Sequence, residues 1–166
     1  MNRPHDTHRP CPLWRRLAAL VYDLLAVVAI VMVVGLLSQL ATGGHLVATG
    51  ARTAIAWWYQ PLQGLVVGAY FVISWLRGGQ TLGMRPWRIR LVAADGGKLR
   101  PAQALRRVVV AALPLLLLGL APWLGLRGAV WAVLVGWAAW FAPALFDRRR
   151  RALHDVAAAT ELRRIA

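Results

Sequence analysis

The sequence predicts an all-α membrane protein, a four-helix transmembrane bundle with a short cytoplasmic β-hairpin-like loop. Three observations carry that prediction. Of the 166 residues, 59% are hydrophobic, against roughly 45–50% in a soluble domain. The formal net charge is nevertheless +14, and the basic residues fall between the apolar runs instead of within them. Four of those runs approach the ~20 residues that a helix needs to cross a bilayer core.

The elements follow in chain order. Residues 1–13 read as a flexible cytoplasmic tail, broken by Pro4, Pro10 and Pro12. His5, His8 and Cys11 recur there every three residues, a spacing that would admit a metal clip, although a proline-rich tail is the plainer reading. Cys11 stands alone, so no internal disulfide is expected. The first span covers about 17–40 and stops at Gly43-Gly44. Its basic start is similar to a signal peptide, but the apolar run is too long and lacks a small-residue cleavage site. It is expected to remain as an anchor. The second span, about 54–76, carries Trp57, Trp58 and Tyr59 at one end and Trp75 at the other, as interfacial belts do. The third, about 104–120, and the fourth, about 128–146, contain Pro114 and Pro143, which can kink them. Residues 14–162 form the membrane domain, and 163–166 are its C-terminal end.

Orientation follows from lysine and arginine. Arg3, Arg9, Arg15 and Arg16 precede span one; Arg77, Arg85, Arg88, Arg90, Lys98, Arg100, Arg106 and Arg107 lie between spans two and three; Arg148 to Arg151, Arg163 and Arg164 follow span four. Only Arg52 and Arg127 fall on the other side. The positive-inside rule then places both termini and the central loop in the cytoplasm. The same punctuating pattern argues against nucleic acid as a partner, since the charges line no helix face or stacking platform. The bilayer and its anionic headgroups are the expected partners.

The central loop, "WRIRLVAADGGKLRPAQALRR", reads as a strand over Trp87–Val92, a turn at Asp95-Gly96-Gly97 and an amphipathic entry into span three. The tail "ATELRRIA" is a candidate second strand for "RIRLV".

Asp23 is the most informative residue. Estimates for inserting a central aspartate begin at about 2.5 kcal/mol, so its carboxylate should face the bundle interior. Arg16 lies seven residues away, about 10.5 Å along the helix and too far for an unaided ion pair. Arg106 and Arg107 are the expected partners, with Arg85 and Gln80 next. The arrangement suits either a proton or cation site, or a buried pair locking spans one and three. A second constellation, "FDRRRRALHD", frames four arginines with Asp147 and Asp155. Headgroup attraction explains the arginines but not the acids. Asp155 is expected to pair with a loop arginine; for His154 a surface position is the plainer reading, with titration near neutral pH as the alternative. In span two, Gln60, Gln63 and the Gly64/Gly68 pair suit helix packing, with a polar pathway as the alternative. "GGQTLG" could cradle an anion on its backbone N–H groups but lacks a P-loop ending. With no nucleophile–base pair, no metal-ligand spacing within a span and no paired catalytic carboxylates, no enzyme activity and no cofactor are expected.

Three of these stretches, in order, resemble the RDD family of small bacterial integral membrane proteins. "RRLAALVYD" matches an arginine heading the first span with an aspartate inside it, here Arg16 and Asp23. "GGQTLGMRPWRIRLVAADGG" matches a loop motif commonly GxTLGK followed by a strand and an Asp-Gly turn. "FDRRRRALHDVAAAT" matches a closing motif in which Asp155 stands for the family's second aspartate and Asp147 for a companion. Met84 replaces the usual lysine with Arg85 beside it, Pro86-Trp87 interrupts an apolar stretch, and Val156 and Ala159 stand for an arginine and a glycine. The resemblance implies an RDD-type domain in the bacterial inner membrane and a transport-related role. That role would be exchange of a monovalent cation for protons at a carboxylate whose access alternates. A chain this short, with no internal repeat, would need a homo-oligomer for such a pathway. The competing expectation is a non-transporting scaffold or accessory protein that binds anionic lipid or a partner protein.

Overall fold

The computed structural model describes residues 11–48, 54–147 and 150–165. His5 and His8 of the alternative metal clip, and Arg3, Arg9, Arg52, Arg148 and Arg149 of the orientation argument, lie outside those residues. Helix dominates. Helix α1 (Leu13–Ala41) runs through the first apolar stretch and stops where Gly43 and Gly44 take φ of +61° and +88°, as the sequence anticipates. Two short strands follow, β1 (Val47–Ala48) and β2 (Ala54–Ile55), paired antiparallel. Helix α2 (Tyr59–Gly78) therefore starts later than expected. The reason is Pro61, which a helix tolerates in its first turn and not in its interior.

The second long apolar segment comprises α3 (Pro101–Ala112), a 3-10 stretch (Leu113–Leu120), α4 (Ala121–Phe141) and α5 (Pro143–Phe146). Gly125, at φ +69° and ψ 165°, reverses the chain. The arm after it packs back on the arm before it: the Trp140 indole N–H donates to Val110 O and that of Trp137 to Ala111 O, both at 3.0 Å. Pro114 has no N–H, so Val110 O loses its ordinary helical donor; the Leu113 N–H reaches it instead in the tighter turn, and the Trp140 indole adds a second donor from the facing arm.

Among the described residues, two segments are long and apolar enough to cross a membrane: Leu13–Ala41, with mean hydropathy 2.7, and Pro101–Phe146, with 2.2. Helix α2 is not one of them. Burial is inverted relative to a soluble protein. Leu25, Met32 and Leu116 are 64%, 69% and 74% exposed, while Arg16, Asp23, Arg107 and Asp155 are all buried. Such a surface suits a hydrocarbon solvent and not water.

The hydrophobic core lies at one end, the basic end, where the start of α1, the loop after α2, the start of α3 and the tail converge. Cys11, Ala19, Trp75, Met84, Ile89, Leu91, Ala104 and Leu162 pack together there. Cys11 is fully buried, so the stretch expected as a free tail to residue 13 is docked at its end. No group of three or more potential metal ligands forms among the described residues. The loop does not make the expected local hairpin. Gly96 takes φ +80° and Asp95 Oδ1 accepts the Gly97 N–H at 2.8 Å, but this turn leads into α3. Strand β3 (Ile89–Ala93) pairs instead with β4 (Thr160–Arg164) from the tail, Leu91 opposite Leu162, the pairing proposed for "RIRLV". A five-residue helix, α6 (Leu153–Ala157), delivers β4. The Trp87 that interrupts the loop anchors it, lying edge-on to Trp14 and Tyr22 with ring centroids 5.4 and 6.1 Å away.

Two expectations follow. In a Cys11→Ala background, cysteines at Leu91 and Leu162 should cross-link readily under mild oxidant, whereas Ile89 with Leu162, offset by two residues, should lag; equal rates would contradict this register. Ala159 sits at φ +50°, costing an L-residue about 1–2 kcal/mol. Ala159→Gly should therefore stabilise the fold by about 1 kcal/mol net of chain entropy, read as a melting rise of a few degrees in detergent.

Candidate functional site

Asp155 is the centre of the buried charge network. It occupies the first turn of α6, where its Oδ2 accepts the Ala152 N–H at 2.9 Å. Arg16 from α1 donates Nη1 to the same oxygen at 3.0 Å. Arg107 from α3 donates Nη1 to Oδ1, and also to Thr160 Oγ1 at 2.9 Å. The Arg107 guanidinium lies over the Trp75 ring, 5.2 Å from its centroid. All three ionic side chains are buried. Burial works against an ionised Asp155, but the Arg107 and Arg16 charges and the Ala152 N–H outweigh it, so the carboxyl is held below its usual range.

His154 is 3.8 Å from Asp155 Oδ1 through Nε2 and edge-on to Phe141. Burial first, and then the Arg107 charge, lower its pKa from 6.5 to about 4. Both expectations for His154 are thus corrected: it is buried and not at the surface, and the imidazole is kept neutral because it is desolvated beside fixed cations.

Asp23 is held differently, and the expected arginine partners are corrected. Its Oδ2 accepts Thr81 Oγ1–H at 2.6 Å; its Oδ1 accepts Tyr70 O–H at 3.1 Å and the Gly83 N–H at 2.9 Å. Every donor is neutral. The anion that "GGQTLG" cradles is this carboxylate of the chain itself. The approach is close: a Cβ at Gly83 would stand 2.3 Å from Ala19 O and 2.6 Å from Asp23 N, so no other residue fits. Tyr70 O also accepts the Leu82 N–H at 3.1 Å, which ties the loop to α2.

The remaining sequence candidates scatter. Gln80 donates to Ile89 O at 2.7 Å and pins the loop to β3. Arg85 is exposed, whereas Met84, where the loop motif commonly has lysine, is buried. Arg106 is exposed and reaches Ala157 O at 3.5 Å. Asp147 pairs locally with Arg151 at 2.8 Å, outside the buried network. Gln63 donates to Val31 O at 3.1 Å and Gly68 faces Val108, as packing of α2 requires; Gly64 has open space before it, so the expected close approach through the Gly64/Gly68 pair is corrected to Gly68 alone. Sequence reasoning missed Tyr70, Thr160 and Trp75. Only Thr160 carried a signal, as the final threonine of the closing motif.

The sequence model of the RDD family matches residues 10–159, a stretch that contains both Asp23 and Asp155. No curated protein and no solved structure matches the chain.

A pH titration checks the buried state of His154. With a folded pKa near 4 and an unfolded one near 6.5, the unfolded chain binds the extra proton, so stability is complete above pH 6.5 and lost as pH falls toward 4. The loss should reach about 3 kcal/mol. Asp155, whose folded pKa is also depressed, adds to the decline only below the ordinary carboxylate range. Detergent melts between pH 7 and 4.5 should show the decline in the wild type and a flatter curve in His154→Gln; superimposed curves would place the imidazole in water.

Proposed function

The chain belongs to the RDD family, and from that membership we propose that it is a four-span protein of the bacterial inner membrane that serves as a non-enzymatic scaffold, engaging anionic lipid or a partner protein through its basic end. The four spans are α1, α2 and the two arms that meet at Gly125. The distribution of arginine and lysine supports cytoplasmic termini, with the basic end inside.

One observation carries the scaffold reading. Asp23 is closed off by Thr81, Tyr70 and Gly83, with backbone packed so tightly at Gly83 that a methyl group would collide. A carboxylate that exchanges ions needs access that alternates between sides; this one serves as the acceptor that seats the loop on α1. The second reading, exchange of a monovalent cation for protons in a homo-oligomer, is favoured by a different fact. Asp23 has hydroxyl partners and no arginine, and hydroxyls can reverse their donor direction when the acid takes up a proton.

Comparing Asp23→Asn with Asp23→Ala separates the two. Asn keeps an acceptor for the Gly83 N–H and should stay within about 1–2 kcal/mol of the wild type. Ala strands three donors and should lose at least about 3 kcal/mol. Wild-type proteoliposomes loaded with a pH dye should show no proton movement under sodium or potassium gradients. Cation-driven movement that disappears in a stably folded Asp23→Asn would replace the scaffold reading with the exchanger.

A further inference from the structure

The charges around Asp155 do not balance. Two guanidinium groups, Arg16 and Arg107, face one carboxylate. His154 is neutral near pH 7. The Cys11 thiol beside Arg16 is held protonated chiefly by burial, and it supplies no counter-charge. One positive charge is left over in a buried site, an arrangement that ordinarily demands an anion.

The surplus has a location. Arg16 uses only Nη1 on Asp155, while its Nε and Nη2 are buried with no hydrogen-bond partner. Those two N–H groups are the parallel pair with which arginine grips a phosphate or carboxylate. Arg16 also lines a cavity of ≈ 180 Å³ between the start of α1 and the end of α4. The other lining groups are apolar, among them Leu17, Ala138, Phe141 and Ala142.

We propose that this groove holds an anionic phospholipid, part of an acyl chain against the apolar wall and its phosphate on the unpaired edge of Arg16, which in the lipid-free chain is covered beside Cys11 and opens to the headgroup. A soluble anion would satisfy the arginine but leave the wall bare. A zwitterionic lipid would fill the wall while bringing its own cation to a site already in positive excess. The groove lies at the basic end, beside exposed Trp14, the depth at which headgroups meet aromatic belts. The position on Arg16 is distinct from general attraction to surface arginines, because it depends on a dehydrated fork and a shaped recess.

The proposal rests on the lipid arm of the scaffold reading, and its test is independent of proton flux. The full chain, purified in neutral detergent, is mixed with phosphatidylglycerol or phosphatidylcholine of identical acyl chains and analysed by native mass spectrometry. At least tenfold greater retention of phosphatidylglycerol is expected. Ala138→Phe and, separately, Ala142→Leu fill the groove without touching the ion pairs; each should reduce that retention at least tenfold with melting unchanged. Equal retention of the two lipids, or undiminished retention in a folded groove variant, overturns the site. Displacement of the lipid by millimolar inorganic phosphate would also overturn it, in favour of a site for free anions. If lipid retention fails while proteoliposomes remain silent, the scaffold reading survives without this ligand.

Discussion

A single carboxylate joins parts of the chain that sequence order keeps far apart. Asp155 contacts Arg16, 139 residues away, and Arg107, 48 residues away. Through them it links the start of α1, the start of α3 and the tail. Ion pairs of this kind are poor evidence of net stability, because desolvation offsets much of the Coulombic gain. Their effect is on specificity. Once both arginines are buried, any arrangement that removes the carboxylate leaves uncompensated charge, costing roughly 3–5 kcal/mol. The seating of α6, the approach of β4 to β3 and the stacking of Arg107 on Trp75 all depend on that constraint.

Asp23 does a parallel job with different chemistry. It sits in the apolar stretch of α1 and gathers two hydroxyls and a backbone N–H where lipid cannot compete for them. The outcome is a molecule of two characters. At the basic end, polar groups are paired and a small core is packed around Ile89 and Leu91; elsewhere, helices present leucine, valine and methionine outward. Family membership and that apolar surface together mark a membrane protein.

Much of this was legible from residue types, and the omissions have physical reasons. The apolar runs, the Gly43-Gly44 stop and the pairing of the tail with "RIRLV" follow from composition, backbone freedom and alternation, all local properties. The inward-facing Asp23 was equally clear, because a bare carboxylate in hydrocarbon is costly. Its partners were not. An arginine looked right on charge alone, yet a carboxylate can be satisfied by neutral dipoles when enough of them converge, and convergence of Tyr70 with Thr81 is set by helix crossing and loop seating. The start of α2 moved for a local reason after all, the position of Pro61. His154 kept its neutral form because its surroundings, invisible in a one-dimensional string, include two cations and Phe141.

The long reach of the Arg16–Asp155 contact also sets an order of events. Helix α1 is made before α6, and its buried arginine has no carboxylate until residue 155 leaves the ribosome. At about 5–20 residues per second, that interval is on the order of ten seconds. Throughout it, α1 is an anchor with an unmatched cation at its foot, held apart from the segments that will complete it. Closure of the basic end therefore waits for Asp155, and a chain cut before it would keep both long apolar segments and still lack the bolt that secures them.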